Sequence, residues 1–269
     1  MARIGERPGS GIAGARITWA GERAIRVLED HGLLKLPVSP NVIAANLGIA
    51  ISEIALDGID GCLMRCGKKG KIIVNASVPQ EGRKNFTIAH ELGHWHLHPH
   101  LNQNWLCSAD DIGGYKGSAP ELEANAFASE LLMPTSLLKE RLKYASPTIR
   151  ESAKISADCG TTLTAAALRL VELIEVPALA ILSSDNIVRW FAKNDKADER
   201  FIQRGQQIGD DALAWNCLTD IADVGEPEEV DSSAWFPDDF RCERLETYEQ
   251  SVVLGSYNVV LSLLSVYEK

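Results

Sequence analysis

The chain has 269 residues, of which 45% are hydrophobic and 24% charged, and its formal net charge is −10 at pH 7. A chain of this length and composition can bury a full core, as ordinary water-soluble proteins do. The acidic balance argues against non-specific nucleic-acid binding, which depends mainly on Lys and Arg contacts to phosphate. No apolar run is long enough to predict a membrane-spanning helix, so we expect a cytosolic protein without a membrane partner.

Six cysteines are scattered along the sequence without a C-x-x-C pair. In a cytosolic chain of this size such cysteines are expected to be reduced rather than bridged. Cys62 and Cys66 would suit part of a second metal site, but no other cysteine pair completes it.

The N-terminal part of the chain is predicted to contain an arm, two helices and three strands. Residues 1–18 are predicted to form a flexible N-terminal arm. Residues 9–14 match G-x-G-x-x-G, but no strand precedes them as the dinucleotide-binding fingerprint requires. Apolar spacing predicts a helix over residues 19–31 and a second, shorter one around residues 42–47. Short extended segments are predicted at residues 49–54, 59–65 and 71–75.

A stretch in the middle of the first half combines two histidines and a glutamate. His90, Glu91 and His94 form the pattern H-E-x-x-H. Residues four apart lie on one face of a helix, so both imidazoles point the same way. Two neutral imidazoles suit zinc, which in catalytic sites keeps one of its four positions for water. Glu91 follows the first ligand and is placed to accept a proton from that water.

A helix predicted at residues 120–133 offers the third ligand. Glu121 and Asn125 lie one turn apart on one face of it. Glu121 would bind zinc, and Asn125 could hydrogen-bond a ligand imidazole and so hold the ring in place. Two alternatives remain: Glu123 is the reserve ligand, and Ser118 with Glu121 could form a helix-capping box.

Residues 85–94 followed by residues 121–134 resemble the ImmA/IrrE family of metallopeptidases. The family pattern is R-F-T-x-A-H-E-x-x-H and then E-x-x-A-N-x-F-A-x-x-L-L-M-P. This chain departs from it at Asn85, where the family often has Arg, and the departure leaves the metal site unchanged. The resemblance implies a zinc site with Glu91 as the catalytic carboxylate and with the ligands His90, His94 and Glu121.

Two further residues are candidates for transition-state stabilisation. His98 lies one turn beyond His94. Tyr115 lies in a glycine-rich loop, predicted at residues 101–117, that could cover the cleft, and its hydroxyl could donate to an oxyanion. The alternatives are a surface histidine near a helix C-terminus and a packed aromatic side chain.

The predicted fold class is α+β, with three parts after the arm. Residues 19–135 are expected to form a helix-rich, zincin-like metallopeptidase domain with a small sheet. Residues 136–175 are predicted to be helical and resemble a helix-turn-helix, although acidic residues offset the basic ones and direct DNA contact is not expected. Residues 176–269, which begin with a hairpin at 178–182 and 187–191, are predicted to form an α+β sensor or docking domain. The resemblance implies that this domain is GAF-like, as in IrrE-like proteins.

The sequence predicts a zinc-dependent endopeptidase. The resemblance implies that its substrate is a DNA-binding transcriptional repressor, cut in response to stress or mobile-element signals. The alternative is a non-proteolytic regulator with structural zinc that binds DNA or a protein partner. Structural zinc sites usually have four protein ligands, commonly including cysteine, and Cys107 is the only cysteine close to the motif.

Overall fold

The protein is seen in a computed structural model that describes residues 12–101, 104–108, 118–197, 202–240, 242–255 and 259–269. These residues form two compact units. The first unit runs up to residue 137 and also includes residues 156–162, whereas the second comprises residues 138–155 and the chain from residue 163 onward. Each unit combines helical segments with a sheet, which confirms the predicted α+β class.

The helices of the first unit pack around one buried helix. Helix α3 contacts α1, α2 and α4 as well as two strands of the sheet, and α1 also packs along α4. Apolar side chains from all of them fill the core, among them Leu28, Ile43, Leu92 and Phe127. The helices are α1 (Ile12–Asp30), α2 (Pro40–Asn46), α3 (Glu81–Leu97) and α4 (Ala119–Leu132).

The sheet of the first unit has four strands in the order β1-β3-β2-β4. Strand β3 is parallel to β1 and antiparallel to β2, and β2 is antiparallel to β4. Leu63, Ile72 and Val74 are buried on this sheet. Its strands are β1 (Ile49–Ile54), β2 (Gly61–Cys66), β3 (Lys69–Asn75) and β4 (Asn104–Cys107).

The predicted arm at residues 1–18 needs a correction, because α1 already begins at Ile12. Ile17 and the buried Ala20 extend the apolar stripe of α1 toward its N-terminus, so helical packing starts earlier than the glycines suggested. Residues 1–11 lie outside the described part of the chain.

The loop predicted at residues 101–117 also needs a correction, because it contains β4. In this strand Trp105 and Cys107 are buried and their neighbours are exposed. The sequence does not show this alternation, because Leu106 is apolar although its side chain is exposed. Residues 109–117 lie outside the described chain.

The predicted helical segment at residues 136–175 contains three helices. The turn between the second and third is formed at Gly160, whose φ of +63° lies in the left-handed region that glycine adopts without strain. The helices are α5 (Thr135–Leu142), α6 (Ile149–Cys159) and α7 (Leu163–Leu173).

The second unit is built on a five-stranded antiparallel sheet in the order β6-β5-β9-β8-β7. The predicted hairpin is confirmed, with Asp185 and Asn186 at φ of 53° and 57° in its tight turn. Trp235 and Phe236 are fully buried in the core of this unit. The strands are β5 (Ala178–Ser184), β6 (Ile187–Lys193), β7 (Glu228–Val230), β8 (Leu245–Val253) and β9 (Val259–Glu268). Among all described residues, no helix is both long and apolar enough to cross a membrane.

Candidate metal centre

Helix α3 holds the two motif histidines side by side in the interior. His90, Glu91 and His94 are all fully buried, because α3 lies between α4 and the first sheet. The two imidazole rings have centroids 4.7 Å apart, and their Nε2 atoms are 3.0 Å apart. Helical spacing therefore brings both nitrogens to one point, as the sequence pattern predicted.

Helix α4 brings Glu121 to the same point. Its Oε2 lies 3.0 Å from Nε2 of His90 and 3.3 Å from Nε2 of His94. The two helices must approach closely to do this, and Gly93 allows it, because a Cβ there would lie 3.0 Å from Cα of Ala124. The three predicted ligands thus converge.

Asn125 makes the outer contact that the sequence suggested. Its side-chain oxygen lies 2.8 Å from Nδ1 of His90. Because this oxygen accepts hydrogen bonds, Nδ1 of His90 donates to it, and Nε2 is left to face Glu121. Nε2 of His90 and Oε2 of Glu121, 3.0 Å apart, are then both placed to bind a cation.

The protonation states of the group also fit a metal ion. Burial lowers the pKa of His94 to about 4, so its imidazole is neutral at neutral pH. Burial acts to raise the pKa of Glu121, but contacts with His90 and His94 bring it down to about 2. Two imidazoles and one carboxylate form a donor set that zinc binds at about 2.0–2.2 Å.

Glu91 is a fully buried carboxyl group whose oxygens have almost no hydrogen-bond partners. Apart from the weak thiol donor of Cys107, neither oxygen has a hydrogen-bond partner among the described residues. Burial raises its pKa to about 7, although His90 and Cys107 act in the opposite direction. A carboxyl group with this pKa can accept and return a proton near neutral pH. Such a costly buried group indicates a functional role.

Gly61 on β2 makes room for Glu91. A Cβ at this position would lie 2.8 Å from Oε1 of Glu91 and 2.5 Å from Cγ2 of Thr87. We therefore expect Gly61→Ala to displace the Glu91 carboxylate and to lower the peptide cleavage predicted from the sequence by about 10²-fold, as a misplacement of about 1 Å can do. Zinc content, measured by elemental analysis, should stay at the wild-type level because no predicted ligand moves.

Gly225→Ala is the control, because a Cβ there meets nothing within 4 Å. It should leave both zinc content and cleavage unchanged. Full cleavage by the Gly61→Ala variant would show that the position of the Glu91 carboxylate does not matter.

Strand β4 places Cys107 on a fourth side of the group. Its Sγ lies 3.7 Å from Nε2 of His94. One ligand atom from each of His90, His94, Cys107 and Glu121 lies within 4.8 Å of the others. Cys107 reaches this position because it pairs with Gly61 across β2 and β4. No local sequence signal indicates that pairing, so sequence reasoning identified Cys107 only as the cysteine nearest to the motif.

The remaining candidates occupy other positions. Nδ1 of His98 lies 3.0 Å from Nδ1 of His94, so His98 is at the far end of that ring from Nε2. This leaves its predicted role at the transition state without structural support. Glu123, the reserve ligand, contacts His98 and does not belong to the convergent group. Tyr115 lies outside the described residues.

Known proteins share sequence or fold with this chain. A protein of Bacillus phage phi105, called "Uncharacterized immunity region protein 2", is 39% identical over 72 residues, which are 25% of this chain and 40% of that protein. The matched part is thus less than half of the relative's length. A solved structure of a Mycobacterium tuberculosis transcriptional regulator has a TM-score of 0.57 and 12% identity, covering 92% of this chain and 75% of that one. This second likeness shows a shared fold alone.

A family model described as the IrrE N-terminal-like domain, Peptidase_M78, matches residues 44–171. This range includes the H-E-x-x-H helix α3 and the helix α4 that carries Glu121. The chain therefore carries an IrrE N-terminal-like domain of the Peptidase_M78 family, which confirms the resemblance to ImmA/IrrE proteins that its motifs indicated.

Proposed function

We propose that this chain is a zinc-dependent endopeptidase in which His90, His94 and Glu121 hold the metal and Glu91 transfers protons. The observation that carries the proposal is the buried, almost unpartnered Glu91 beside a convergent pair of imidazoles and a carboxylate. Zinc held by these residues would supply Lewis-acid chemistry: it would polarise the scissile carbonyl and lower the pKa of water to about 7.

Proton transfer is assigned to the carboxylate of Glu91. One of its oxygens accepts a proton from the attacking water, and the carboxyl group then gives it to the amine nitrogen of the leaving segment. Burial raises the pKa of this carboxyl group in the metal-free site, which supports its use as a proton acceptor. Asn125 keeps the ring of His90 oriented during these steps through its 2.8 Å contact.

Strand β4 offers an edge on which an extended peptide could align. It pairs with β2 on one side, and within the described residues no strand pairs with its other side. Main-chain hydrogen bonds to a free sheet edge hold peptides in an extended form. A segment bound there would pass Cys107 and the neighbouring His94, which supports cleavage inside an extended stretch of a protein substrate.

The proposed substrate is a DNA-binding transcriptional repressor, cut in response to stress or mobile-element signals. This rests on the ImmA/IrrE domain, with support from the phage relative's origin in an immunity region and from the regulator that shares the fold. Residues 176–269 are proposed to form a GAF-like sensor or docking domain. We further propose that the protein acts in the cytoplasm and does not bind nucleic acid directly.

The position of Cys107 favours one alternative. If its thiolate were a fourth ligand, the metal would be closed off from water and the protein would be a regulator with structural zinc. In that case Glu91 would have no proton to transfer.

Glu91→Gln tests the proposed function. Loss of a general acid and base should lower cleavage by about 10²–10⁴-fold. Zinc content should persist, because the amide replaces a group that is not a predicted ligand. The measurement is co-expression of the full chain with candidate repressors, followed by intact-mass analysis of the fragments.

Glu81→Gln is the matched control, since Glu81 is exposed in the first turn of the same helix. It should cleave like the wild type. Cleavage at the wild-type rate by the Glu91→Gln variant would contradict the proposal and favour the regulator with a closed zinc site.

A further inference from the structure

A chain of polar contacts runs from the far side of His94 to the surface of helix α1. Nδ1 of His94 lies 3.0 Å from Nδ1 of His98, and Nε2 of His98 lies 3.1 Å from Oε2 of Glu123. Arg16 donates a hydrogen bond from Nη2 to Oε2 of Glu123 at 3.1 Å. Its Nε also forms an ion pair with Oε1 at 2.7 Å. Three helical regions thus meet behind one predicted ligand.

We propose that Arg16, Glu123 and His98 are positioning residues that fix His94 in the tautomer whose Nε2 is free to bind the metal. The proposal rests on the metal site of the proposed function, but it holds whether that site is open or closed by Cys107. Because Arg16 belongs to α1, this helix would also contribute to metal binding.

The direction of each hydrogen bond follows from the chemistry of its groups. The guanidinium of Arg16 can only donate, so Glu123 is held as an accepting carboxylate. His98 must then donate from Nε2, which leaves its Nδ1 as an acceptor in the neutral ring. His94 in turn donates from Nδ1, and its Nε2 lone pair points at Glu121 and His90.

The relay is the set of hydrogen bonds that runs from Arg16 through Glu123 and His98 to His94. Burial of its inner members favours one arrangement of the protons along it. His94, His98 and Glu123 are at most 2% exposed, so water cannot readily replace a lost partner. The indole of Trp105 stacks on His94 with ring centroids 3.9 Å apart and an interplanar angle of 15°. A 180° flip of the imidazole would break the Nδ1 hydrogen bond, and a smaller rotation out of its plane would break the stacking.

The two ligand histidines are supported differently. His90 has the neutral amide of Asn125 as its outer partner, whereas the relay behind His94 ends in a carboxylate and a guanidinium. An ionised partner makes the ligand nitrogen more basic, and loss of an outer partner commonly weakens metal binding by 10- to 100-fold. Arg16 is half-exposed and lies far from the predicted metal position, yet it should therefore affect the affinity of the site for zinc.

The test uses the full chain with Arg16→Gln and Glu123→Gln variants, and zinc affinity measured by competition with a chromophoric chelator. Both variants should bind zinc about 10- to 100-fold more weakly, yet still reach the wild-type stoichiometry at saturation. Arg26→Gln is the control, since Arg26 is an exposed arginine of α1 outside the relay. It should leave the affinity unchanged.

Long-range proton–nitrogen NMR correlations of the zinc-free chain report the histidine tautomers. A substitution that only weakened the packing would not change these tautomers. We expect Nδ1–H on His94 and Nε2–H on His98 in the wild type, and a mixture in Glu123→Gln. Nδ1–H on His98, or zinc affinities within threefold of wild type in both variants, would overturn the relay. Failure of the wild type to bind zinc would instead refute the proposed function, and the tautomers would still decide on the relay.

Discussion

Glu121→Ala is expected to abolish tight zinc binding and, with it, the metal-dependent part of the chain's stability. Oε2 of Glu121 is the only carboxylate oxygen among the described residues that lies within 3.3 Å of both imidazole Nε2 atoms. Its removal leaves two neutral ligands and a vacant side. The affinity should therefore fall by more than the roughly 10- to 100-fold expected when an outer partner is lost.

Thermal unfolding with and without zinc measures this effect. A ligand present at about a thousand times its Kd stabilises a protein by about 4 kcal/mol, and this zinc-dependent shift should disappear in the Glu121→Ala variant. Glu130→Ala is the control from the same helix, because Glu130 accepts hydrogen bonds from the backbone and hydroxyl of Thr135. It should lose about 1 kcal/mol of stability but keep the zinc-dependent shift. An unchanged shift in Glu121→Ala would remove Glu121 from the ligand set.

Glu249→Gln is expected to destabilise the second unit strongly. This fully buried carboxylate on β8 accepts four hydrogen bonds. Burial raises its pKa, and the four donors act against that rise. A glutamine amide would turn one accepting oxygen into a donor and leave two donors facing it. At about 1–3 kcal/mol for each buried unsatisfied donor, we expect a loss of about 2–6 kcal/mol. The donors are the backbone N–H groups of Leu213 and Ala214, the indole N–H of Trp235 and the hydroxyl of Ser251.

Urea denaturation combined with hydrogen exchange would locate this loss. Amides of β8 and of the segment around Leu213 should lose protection, whereas those of α3 should not. Glu228→Gln is the matched control, because Glu228 is exposed and lies opposite Glu249 on β7. It should change stability by less than about 0.5 kcal/mol. Equal effects of the two substitutions would show that the buried hydrogen bonds of Glu249 contribute little.

The pairing of metal-site side chains within each helix could be predicted from sequence because it depends on short-range regularities. His90 and His94 are one helical turn apart, and so are Glu121 and Asn125, so each pair shares a face wherever its helix packs. The hairpin of the second unit was predictable for a similar reason, since Asp185 and Asn186 tolerate the φ values of its turn.

The rest of the site depends on contacts between segments that are distant in sequence. Cys107 reaches the group only through the pairing of a four-residue strand with β2. Arg16 reaches Glu123 across 107 residues, from a region predicted to be a flexible arm. Neither contact has a periodic signal, because each is determined by how separate elements pack.

Zinc-edge X-ray absorption of the wild-type chain, loaded with one zinc per chain, tests the central claim of an open catalytic metal site most directly. The ligand set of His90, His94 and Glu121 predicts nitrogen and oxygen scatterers at about 2.0–2.2 Å, the outer-shell pattern of two imidazoles, and no sulfur. A sulfur scatterer at about 2.3 Å would place Cys107 on the metal and contradict the open site.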